Sequence, residues 1–536
     1  MLSTSLLFVV VTSLLVSARA LVPYPKHWNN TATTVSVLRT IHPGDFEIVT
    51  NSTFLIDGAK KRSSNWFRLP DVFIDYPVNP SGSELITLSQ LHVIVESDNT
   101  ELVQGVDESY ELAIPTTCCA TLQSKTVFGA LRGLETFAQL LEYGWIEDYT
   151  GQATFTLSAK QNIRDAPSYP FRGLLIDTAR HYLPMELLLT NLDAMAINKL
   201  NVMHWHMTDS QSWPYESQRY PELSQKAAYR SDLVYSPANI RHIVQEAYYR
   251  GIRVIPEFDL PGHSRSIGKS HPEWMAHCPD WDEPIDPTKK EVYEFIAQLY
   301  EEIFTLFPAD MVHLGGDEVP LDCWKKDPSI QAWMATHNLT DEVELFELFE
   351  QKLLTIVETK QPIVWQEVFD LDINISQNTI VDVWKSGQDA ESLFKATAAG
   401  YQVILSSCWY LDHLGDDWYR YYQCDPRAKF NGTDGQYALV LGGHASMWGE
   451  TVDSSNFMSR VWPRASSVAE RLWSGKATED TIRDRMAAFR CHMVRRGIDA
   501  GPVGPGVCSK EPRFNMNDAS FERMNLRNQG RISIRP

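Results

Sequence analysis

Short apolar runs alternate with longer helix-like stretches from about residue 170 onward. The runs predict strands at 173–176, 201–206, 253–256, 311–314, 363–366, 380–384, 403–405 and 438–441. Stretches with helical periodicity, for example 185–198 and 238–250, separate these strands. Eight strand-then-helix units in succession predict a (β/α)8 TIM barrel, and a doubly wound open sheet is the alternative.

The chain before the barrel has a different pattern. Alternating apolar and polar residues predict strands at 91–96 and 110–114, and a helix-like stretch follows at 126–141. We therefore expect a smaller α+β domain over residues 21–165. The barrel domain, with a C-terminal extension, is expected over residues 166–536.

The N-terminus has the features of a signal peptide. Residues 6–16 are almost wholly apolar, and Ala18-Arg19-Ala20 has the small-x-small pattern of a cleavage site, which predicts removal of residues 1–20. No other segment approaches the ~20 apolar residues of a membrane span. We expect a protein of the secretory pathway, either lysosomal or extracellular. Five N-x-Ser/Thr sequons are candidate glycosylation sites that fit this route: Asn29, Asn51, Asn338, Asn374 and Asn431.

The charge balance argues against two classes of partner. The net charge is −20 and the pI is about 5.2, so nucleic acid and anionic membranes are disfavoured. The 16 tryptophans are compatible with carbohydrate binding, because indole faces stack on the apolar faces of sugar rings, although many tryptophans fill cores.

Eight cysteines in an oxidising compartment predict disulfides. Cys118 and Cys119 are poor partners for each other, because adjacent Cα atoms lie about 3.8 Å apart, below the usual disulfide range. Neither a CxxC nor an HExxH motif is present, and the sequence predicts neither a metal nor a cofactor. His204 and His206 share one face of a predicted strand. Hydrogen-bonded barrel histidines are favoured there over metal ligands.

Polar or aromatic side chains end or follow every predicted barrel strand. Because the catalytic groups of such barrels gather at the C-terminal ends of the strands, this placement predicts one site at that end. The residues concerned are Asp177, Arg180, Asp209, Glu257, Asp259, His263, Asp317, Glu318, Trp365, Trp384, Tyr410, Trp448 and Glu450.

Asp317 and Glu318 form an adjacent carboxylate pair after Gly315 and Gly316. Most glycosidases place two carboxylates from separate strands about 5 Å apart for retention, whereas adjacent residues of an extended segment point in divergent directions. If Glu318 protonates a leaving oxygen, Asp317 needs another task. Substrate assistance supplies one, because a sugar's 2-acetamido oxygen can attack the anomeric carbon while Asp317 orients its N–H. An exposed acidic turn is the alternative.

Nine short strings in a fixed order carry a family resemblance. They are RGLLIDTARHYLP at 172–184, HWH at 204–206, EFDLPGH at 257–263, HLGGDE at 313–318, VWQEVF at 364–369, WYLD at 409–412, MWGE at 447–450, WPRA at 462–465 and AERLW at 469–473. Together they resemble the eukaryotic β-N-acetylhexosaminidases of glycoside hydrolase family 20, over roughly residues 125–510.

The resemblance implies substrate-binding roles. Arg180 would grip the O3 and O4 hydroxyls, a task suited to a planar fork of donors. Glu450 would bind O4 and O6, and Asp412 would face the 6-position. The walls around the ring and its acetamido group would be Trp365, Trp384 and Trp448.

The resemblance also implies catalytic roles. Glu318 would be the general acid, Asp317 would orient the acetamido group, and Tyr410 would hydrogen-bond the acetamido oxygen. Asp209 and His263 would hold and tune the acid. The implied reaction releases terminal non-reducing β-linked N-acetylglucosamine or N-acetylgalactosamine from glycoconjugates, with retained configuration and without a cofactor.

Two alternatives stay open. Glu367 could act as a covalent nucleophile in place of the acetamido group. The chain could also be a catalytically silent carbohydrate-binding barrel, since barrel glycosidase folds can become lectins. A lectin need not keep Glu318, Asp317 and Tyr410 together, and all three are present.

The resemblance also has implications for the disulfides and for the oligomeric state. It implies the disulfides Cys278–Cys323 and Cys491–Cys508. Cys408 and Cys424 bracket the loop that carries Tyr410, and a bond between them is inferred from position. The family also implies a homodimer, for which the sequence gives no independent sign.

Overall fold

The computed structural model describes residues 21–30, 38–42, 45–62, 85–116, 119–146, 153–158, 161–279, 283–413, 415, 418–475, 479–506, 508 and 533–535. The predicted signal peptide and Cys118 lie outside these residues. Among the helices of the described part, none is long and apolar enough to cross a membrane.

The N-terminal domain is an α+β unit, as predicted. Its strands are β1 His27–Asn30, β2 Leu38–Ile41, β3 Glu47–Thr50, β4 Leu85–Thr87, β5 Gln90–Val95, β6 Tyr110–Ile114, β7 Cys119–Ser124, β8 Glu142–Ile146, β9 Ala153–Ser158 and β10 Gln161–Asp165. Its helices are α1 Thr53–Arg62 and α2 Val127–Gln139. Strands β4-β2-β9-β8 form one sheet, and β1-β10-β6-β7-β5-β3 form most of a second, larger sheet.

Eight parallel strands close into a barrel, which confirms the predicted fold. They are β11 Phe171–Asp177, β12 Val202–Thr208, β13 Arg253–Phe258, β14 Met311–His313, β15 Gln361–Trp365, β16 Ile380–Val383, β17 Gln402–Leu405 and β18 Val440–Met447. The barrel closes where β18 pairs with β11, with Gly442 beside Phe171.

The remaining helices surround the barrel or extend its loops. They are α3 Met185–Ile197, α4 Pro221–Ala227, α5 Pro237–Tyr248, α6 Arg265–Gly268, α7 Lys290–Leu306, α8 Leu321–Lys326, α9 Pro328–Thr336, α10 Glu342–Ile356, α11 Gln366–Asp370, α12 Asp389–Ala398, α13 Trp418–Gln423, α14 Asp434–Leu439, α15 Phe457–Val461, α16 Arg464–Ser474 and α17 Glu479–Arg495.

The barrel interior is layered. One buried apolar residue from each strand forms a separate hydrophobic cluster: Phe171, Val202, Ile255, Met311, Ile363, Ile380, Ile404 and Leu441. Six of these residues lie in the first half of their strands, whereas Ile363 is the middle residue of β15 and Ile404 is the third of four in β17. The cluster therefore lies toward the N-terminal end of the barrel. Polar side chains occupy the interior above this cluster, and the site lies at the open C-terminal end.

The eighth strand corrects one prediction. It begins at Val440 instead of 438 and continues to Met447, whereas Ala438 and Leu439 end helix α14. The run after Leu441 contains two glycines, a histidine and a serine, which is typical of a loop. The closed barrel buries all eight strand residues. A Cβ on Gly443 would come 1.9 Å from the Leu405 carbonyl oxygen, so this close strand contact requires glycine.

The C-terminal extension also differs from expectation. The short strand β19 Ser533–Arg535 pairs in parallel with β3 and becomes the seventh strand of the larger N-terminal sheet. The two domains are joined by buried ion pairs as well. Glu108 of the N-terminal domain accepts from Arg172 on β11 at 2.7 Å, and Glu135 pairs with Arg496 at 2.6 Å.

Candidate active site

A tight turn after β14 presents the carboxylate pair. Gly315 and Gly316 have φ values of +77° and +96°. A Cβ on Gly315 would lie 1.8 Å from an oxygen of Asp259, and a Cβ on Gly316 would lie 2.6 Å from the Val368 side chain. Only glycine therefore fits this turn. Asp259 accepts a hydrogen bond from the Gly316 N–H at 2.9 Å, which anchors the turn to the end of β13.

Asp317 and Glu318 leave this turn in different environments. Asp317 is almost buried, whereas the Glu318 side chain is 61% exposed. Glu318 has φ +51°, a strained value for a residue with a side chain. His263 lies between the two carboxylates, because its Nε2 is 3.7 Å from an oxygen of each. Oxygens of the two carboxylates therefore lie within 4.8 Å of each other, and the divergence expected of an extended segment is absent. The positive φ of Glu318 turns the chain, so the pair is not extended.

The charge of His263 is set by its neighbours. Burial lowers its pKa, but the charges of Asp259 and Asp317 and the hydrogen bond to Asp209 raise it well above the usual value. Its Nδ1 lies 3.2 Å from Asp209. An imidazolium at this place links Asp209 to the two carboxylates of the turn.

Arg180 is held rigidly at the rim. It pairs with Asp209 at 2.7 Å and with Asp177 at 3.2 Å, and its guanidinium lies 5.1 Å above the Trp448 ring. Asp177 also accepts from the backbone N–H of Gly449 at 2.9 Å, which ties β11 to the loop after β18. The guanidinium is thus oriented before any ligand binds.

Aromatic side chains line the other side of the mouth. The Trp365 and Trp448 rings are 6.0 Å apart, Tyr410 lies 6.5 Å from Trp448, and Trp384 stacks on Tyr410 at 6.3 Å. Burial and the charges of Asp382 and Asp317 raise the pKa of Tyr410 well above its usual value. Its hydroxyl therefore stays protonated and can donate a hydrogen bond.

Asp412 and Glu450 complete the rim. Burial raises the pKa of Asp412, and the charge of Glu450 contributes in the same direction. Glu450 also acts electrostatically on Arg180, which places the three residues at one edge. The mouth thus brings together the eleven predicted site residues: Arg180, Asp209, His263, Asp317, Glu318, Trp365, Trp384, Tyr410, Asp412, Trp448 and Glu450.

Two glutamates have contacts that the sequence did not assign. Glu257 accepts from the Trp365 indole N–H at 2.8 Å, and Glu367 accepts from the Trp384 indole N–H at 2.7 Å. Burial and the charge of Asp317 raise the pKa of Glu367 to about 7. Both residues lie within the family strings, but a string does not show which side chain an indole will meet.

The barrel histidines are hydrogen-bonded. His204 lies 2.8 Å and His206 2.7 Å from Glu257. Four groups of the described residues bring potential metal-ligand atoms within 4.8 Å of one another, and one of them is His204, Glu257 and His313. In this group the histidines make hydrogen bonds or ion pairs with the carboxylate, which agrees with the interpretation of hydrogen-bonded barrel histidines.

Three disulfides join the expected cysteines: Cys278–Cys323, Cys408–Cys424 and Cys491–Cys508. The second bond closes the loop that carries Tyr410 and Asp412. Cys119 is also disulfide-bonded, and its pairing lies outside the described residues.

The five sequon asparagines are all exposed. The side-chain amide of Asn51 is engaged by the Val95 backbone, with bonds of 2.9 Å and 3.1 Å. No comparable bond holds the side chain of Asn338, Asn374 or Asn431 within the described part of the chain, so these three sequons present a freer amide.

A closed parallel barrel with a carboxylate pair and aromatic walls at its C-terminal mouth defines a glycoside hydrolase. A model described as the catalytic domain of glycosyl hydrolase family 20 matches residues 169–476, and one described as beta-acetyl hexosaminidase like matches residues 22–140. The chain belongs to glycosyl hydrolase family 20.

Curated relatives and solved structures agree with this assignment. The chain is 45% identical to the Felis catus beta-hexosaminidase subunit beta (81% of this chain, 83% of that protein) and 46% identical to the human subunit beta (76% and 74%). It is similar to a Flavobacterium johnsoniae chitobiase, with a TM-score of 0.76, 28% identity and coverage of 90% and 73%. It is also similar to a Vibrio harveyi exo beta-N-acetylglucosaminidase in complex with N-acetylglucosamine, with a TM-score of 0.74, 25% identity and coverage of 91% and 79%.

Proposed function

We propose that this β-N-acetylhexosaminidase releases terminal non-reducing β-linked N-acetylglucosamine and N-acetylgalactosamine by a retaining, substrate-assisted mechanism. One observation carries the proposal. Asp317 is almost buried and Glu318 is exposed, and one imidazole nitrogen of His263 lies 3.7 Å from both. A buried carboxylate suits the stabilisation of a cation, and an exposed one suits proton delivery to a leaving group.

The residues act in a definite order. Tyr410 donates a hydrogen bond to the acetamido oxygen, and Asp317 accepts one from the acetamido N–H. The oxygen attacks the anomeric carbon while Glu318 protonates the departing glycosidic oxygen, which gives a cyclic oxazolinium ion. Water, deprotonated by Glu318, then opens that ring from the face that the aglycone left. Positioning of this kind lowers a barrier by ~7–11 kcal/mol in well-oriented intramolecular reactions.

The other site residues select the sugar. Arg180, fixed by Asp177 and Asp209, binds O3 and O4, and Glu450 binds O4 and O6. The aromatic side chains exclude water from the oxazolinium ion. The substrate is a glycoconjugate or an oligosaccharide, encountered in a lysosome or outside the cell. The names of the relatives as alpha and beta subunits favour assembly, and we infer a homodimer.

Chromogenic substrates and a thiazoline mimic of the oxazolinium ion test this mechanism. We expect hydrolysis of the N-acetylglucosaminide and the N-acetylgalactosaminide and negligible hydrolysis of the matching glucoside, which lacks the acetamido group. Asp317→Ala should weaken turnover and thiazoline inhibition together, because both depend on the same developing charge.

The two alternatives give different results in this experiment. If Glu367 were a nucleophile, mass spectrometry of the quenched enzyme would find a sugar on that carboxylate, and the glucoside would be cleaved. A lectin-like barrel would bind the sugars without turnover.

A further inference from the structure

A layer of buried ionisable side chains lies between the apolar cluster of the barrel and the candidate site. All of its members are at most 2% exposed. They are His204, His206, Glu257, His313, Asp382 and His444. None of them has a task in the mechanism above, although buried charges are costly unless they are paired.

Glu257 is the centre of this layer. One of its oxygens lies 2.8 Å from the Trp365 indole nitrogen and 3.2 Å from a nitrogen of His313. The other oxygen lies 2.8 Å from His204 and 2.7 Å from His206. Burial raises the pKa of Glu257, but the charges of His313 and His206 hold it well below the usual value. Glu257 is therefore an ionised carboxylate with ring nitrogens of Trp365, His204, His206 and His313 within 3.2 Å of its oxygens.

His206 connects Glu257 to the rim of the site. Its Nδ1 faces Glu257 and its Nε2 lies 2.9 Å from Asp209. Burial lowers its pKa, but the charge of Glu257 and hydrogen bonds to both carboxylates raise it to about 10. Both nitrogens carry protons, and an imidazolium bridges the two carboxylates. Asp209 in turn holds Arg180 at 2.7 Å and His263 at 3.2 Å.

We propose that Glu257 is a positioning residue that fixes two distant parts of the site at once. Through one oxygen it orients Trp365, a wall of the acetamido pocket. Through the other oxygen and His206 it holds Asp209, which orders Arg180 and His263. The inference rests on the roles proposed above for these residues, and Glu257 itself touches no substrate.

Glu257→Gln tests this arrangement with little change in shape. The Trp365 indole N–H can only donate, so the amide oxygen must face it and the amide NH₂ must face His204 and His206. His206 can then accept at Nδ1 only by losing its proton there, which removes the cation beside Asp209. The matched control is His204→Gln, which keeps an N–H donor near Glu257 and leaves the bonds to Trp365 and Asp209 in place.

The expected result is a selective defect in a folded enzyme. Glu257→Gln should lower kcat on a natural disaccharide by on the order of 10²-fold, as small misplacements in active sites do. Thiazoline affinity should fall in parallel. The pH profile of kcat/KM should shift, because the variant removes the Glu257 carboxylate together with the His206 cation and so redistributes charge around Asp209 and His263. His204→Gln should change each quantity by less than about threefold.

Three outcomes overturn the proposal. They are unchanged kcat and thiazoline affinity in Glu257→Gln, an unshifted pH profile, or an equal loss in His204→Gln. If Glu257→Gln does not fold, His206→Asn replaces it, because the Asn amide can reach Glu257 but not Asp209. Glu318→Gln serves as the reference. If it shows no general-acid defect, the proposed mechanism fails, whereas a normal reference with a silent Glu257→Gln rejects only this inference.

Discussion

Glu350 provides a quantitative test of the barrel's electrostatics. It lies on α10, is 1% exposed, and has no hydrogen-bond partner for either carboxyl oxygen within the described structure. One oxygen lies 3.6 Å from the place that a Cβ on Gly316 would occupy, so this carboxyl lies behind the turn that carries Asp317. The hydroxyl of Tyr300 on α7 is likewise buried without a partner among those residues. Burial raises the pKa of Glu350 to about 8.

The magnitude follows from the difference between the folded and unfolded pKa values. The folded protein keeps a proton on Glu350 that the unfolded chain releases above a pKa of about 4.5. A raised folded pKa stabilises the fold fully below the unfolded pKa, and this stability is lost as the pH rises through the folded pKa. The free energy of unfolding should therefore fall by about 1.4 kcal/mol per pH unit between roughly pH 5 and 8. The total is on the order of 4 kcal/mol.

Urea unfolding from pH 5 to pH 8 measures this effect in the wild type, in Glu350→Gln and in Glu350→Leu. Other buried groups also titrate, so the informative quantity is the difference between the wild type and each variant. We expect both variants to gain relative stability as the pH rises. The gain with pH should be the same for both, and Glu350→Leu should be the more stable of the two at every pH, because it leaves no buried polar atom unpaired. Glu291→Gln, an exposed position on α7, is the control and should follow the wild type.

Two results would refute this reasoning. If Glu350→Gln and the wild type lose stability in parallel across the pH range, then the pKa of Glu350 does not differ between the folded and the unfolded protein. If Glu350→Leu is less stable than the wild type by the same amount at pH 5 and pH 8, the site depends on the shape of the side chain and not on its charge.

Three further predictions concern the mouth of the barrel. Glu318→Gln should cut turnover of natural glycosides by ~10²–10⁴, the range for general acid catalysis, with a smaller loss on activated aryl glycosides; equal losses on both would reject the acid role. Asp412 should disfavour 6-sulfated N-acetylglucosamine by roughly tenfold in kcat/KM, because its carboxylate repels the sulfate. This discrimination should grow with pH, because the raised pKa of Asp412 keeps its carboxyl group partly protonated in acid. A neutral-to-sulfated ratio near one, or no gain toward sulfate in Asp412→Asn, contradicts this. Removing the Cys408–Cys424 bond by a double serine variant should cost about 3 kcal/mol of stability and weaken thiazoline binding; an unchanged inhibition constant would show that the loop needs no such constraint.

The local sequence was sufficient to predict the barrel. Strands such as Arg253–Phe258 and Ile380–Val383 are buried on both faces, so their apolar runs stand out against the helices between them. The sequence also indicates the turn after β14, because two glycines before Asp317 and Glu318 are typical of a tight bend at a strand end. These signals are short-range: each depends on residues that are neighbours in the chain.

The predicted bounds of the eighth strand are wrong because this strand depends on residues distant in the chain. Its second half, from Gly442 to Ser446, lacks large apolar side chains and has no strand signal of its own. It is a strand because β11 on one side and β17 on the other supply its hydrogen bonds. Likewise, nothing near Ser533 indicates that three residues will pair with a strand close to the N-terminus.

The sequence by itself determined the fold class, the family strings and the set of side chains that gather at the barrel mouth. Only the tertiary structure decided how those side chains are charged and held. The bridge from Glu257 through His206 to Asp209 joins residues up to 51 positions apart, and the exclusion of solvent from Glu350 depends on other helices. Hydrogen-bond partners and dielectric surroundings come from residues distant in the chain, so no local pattern specifies them.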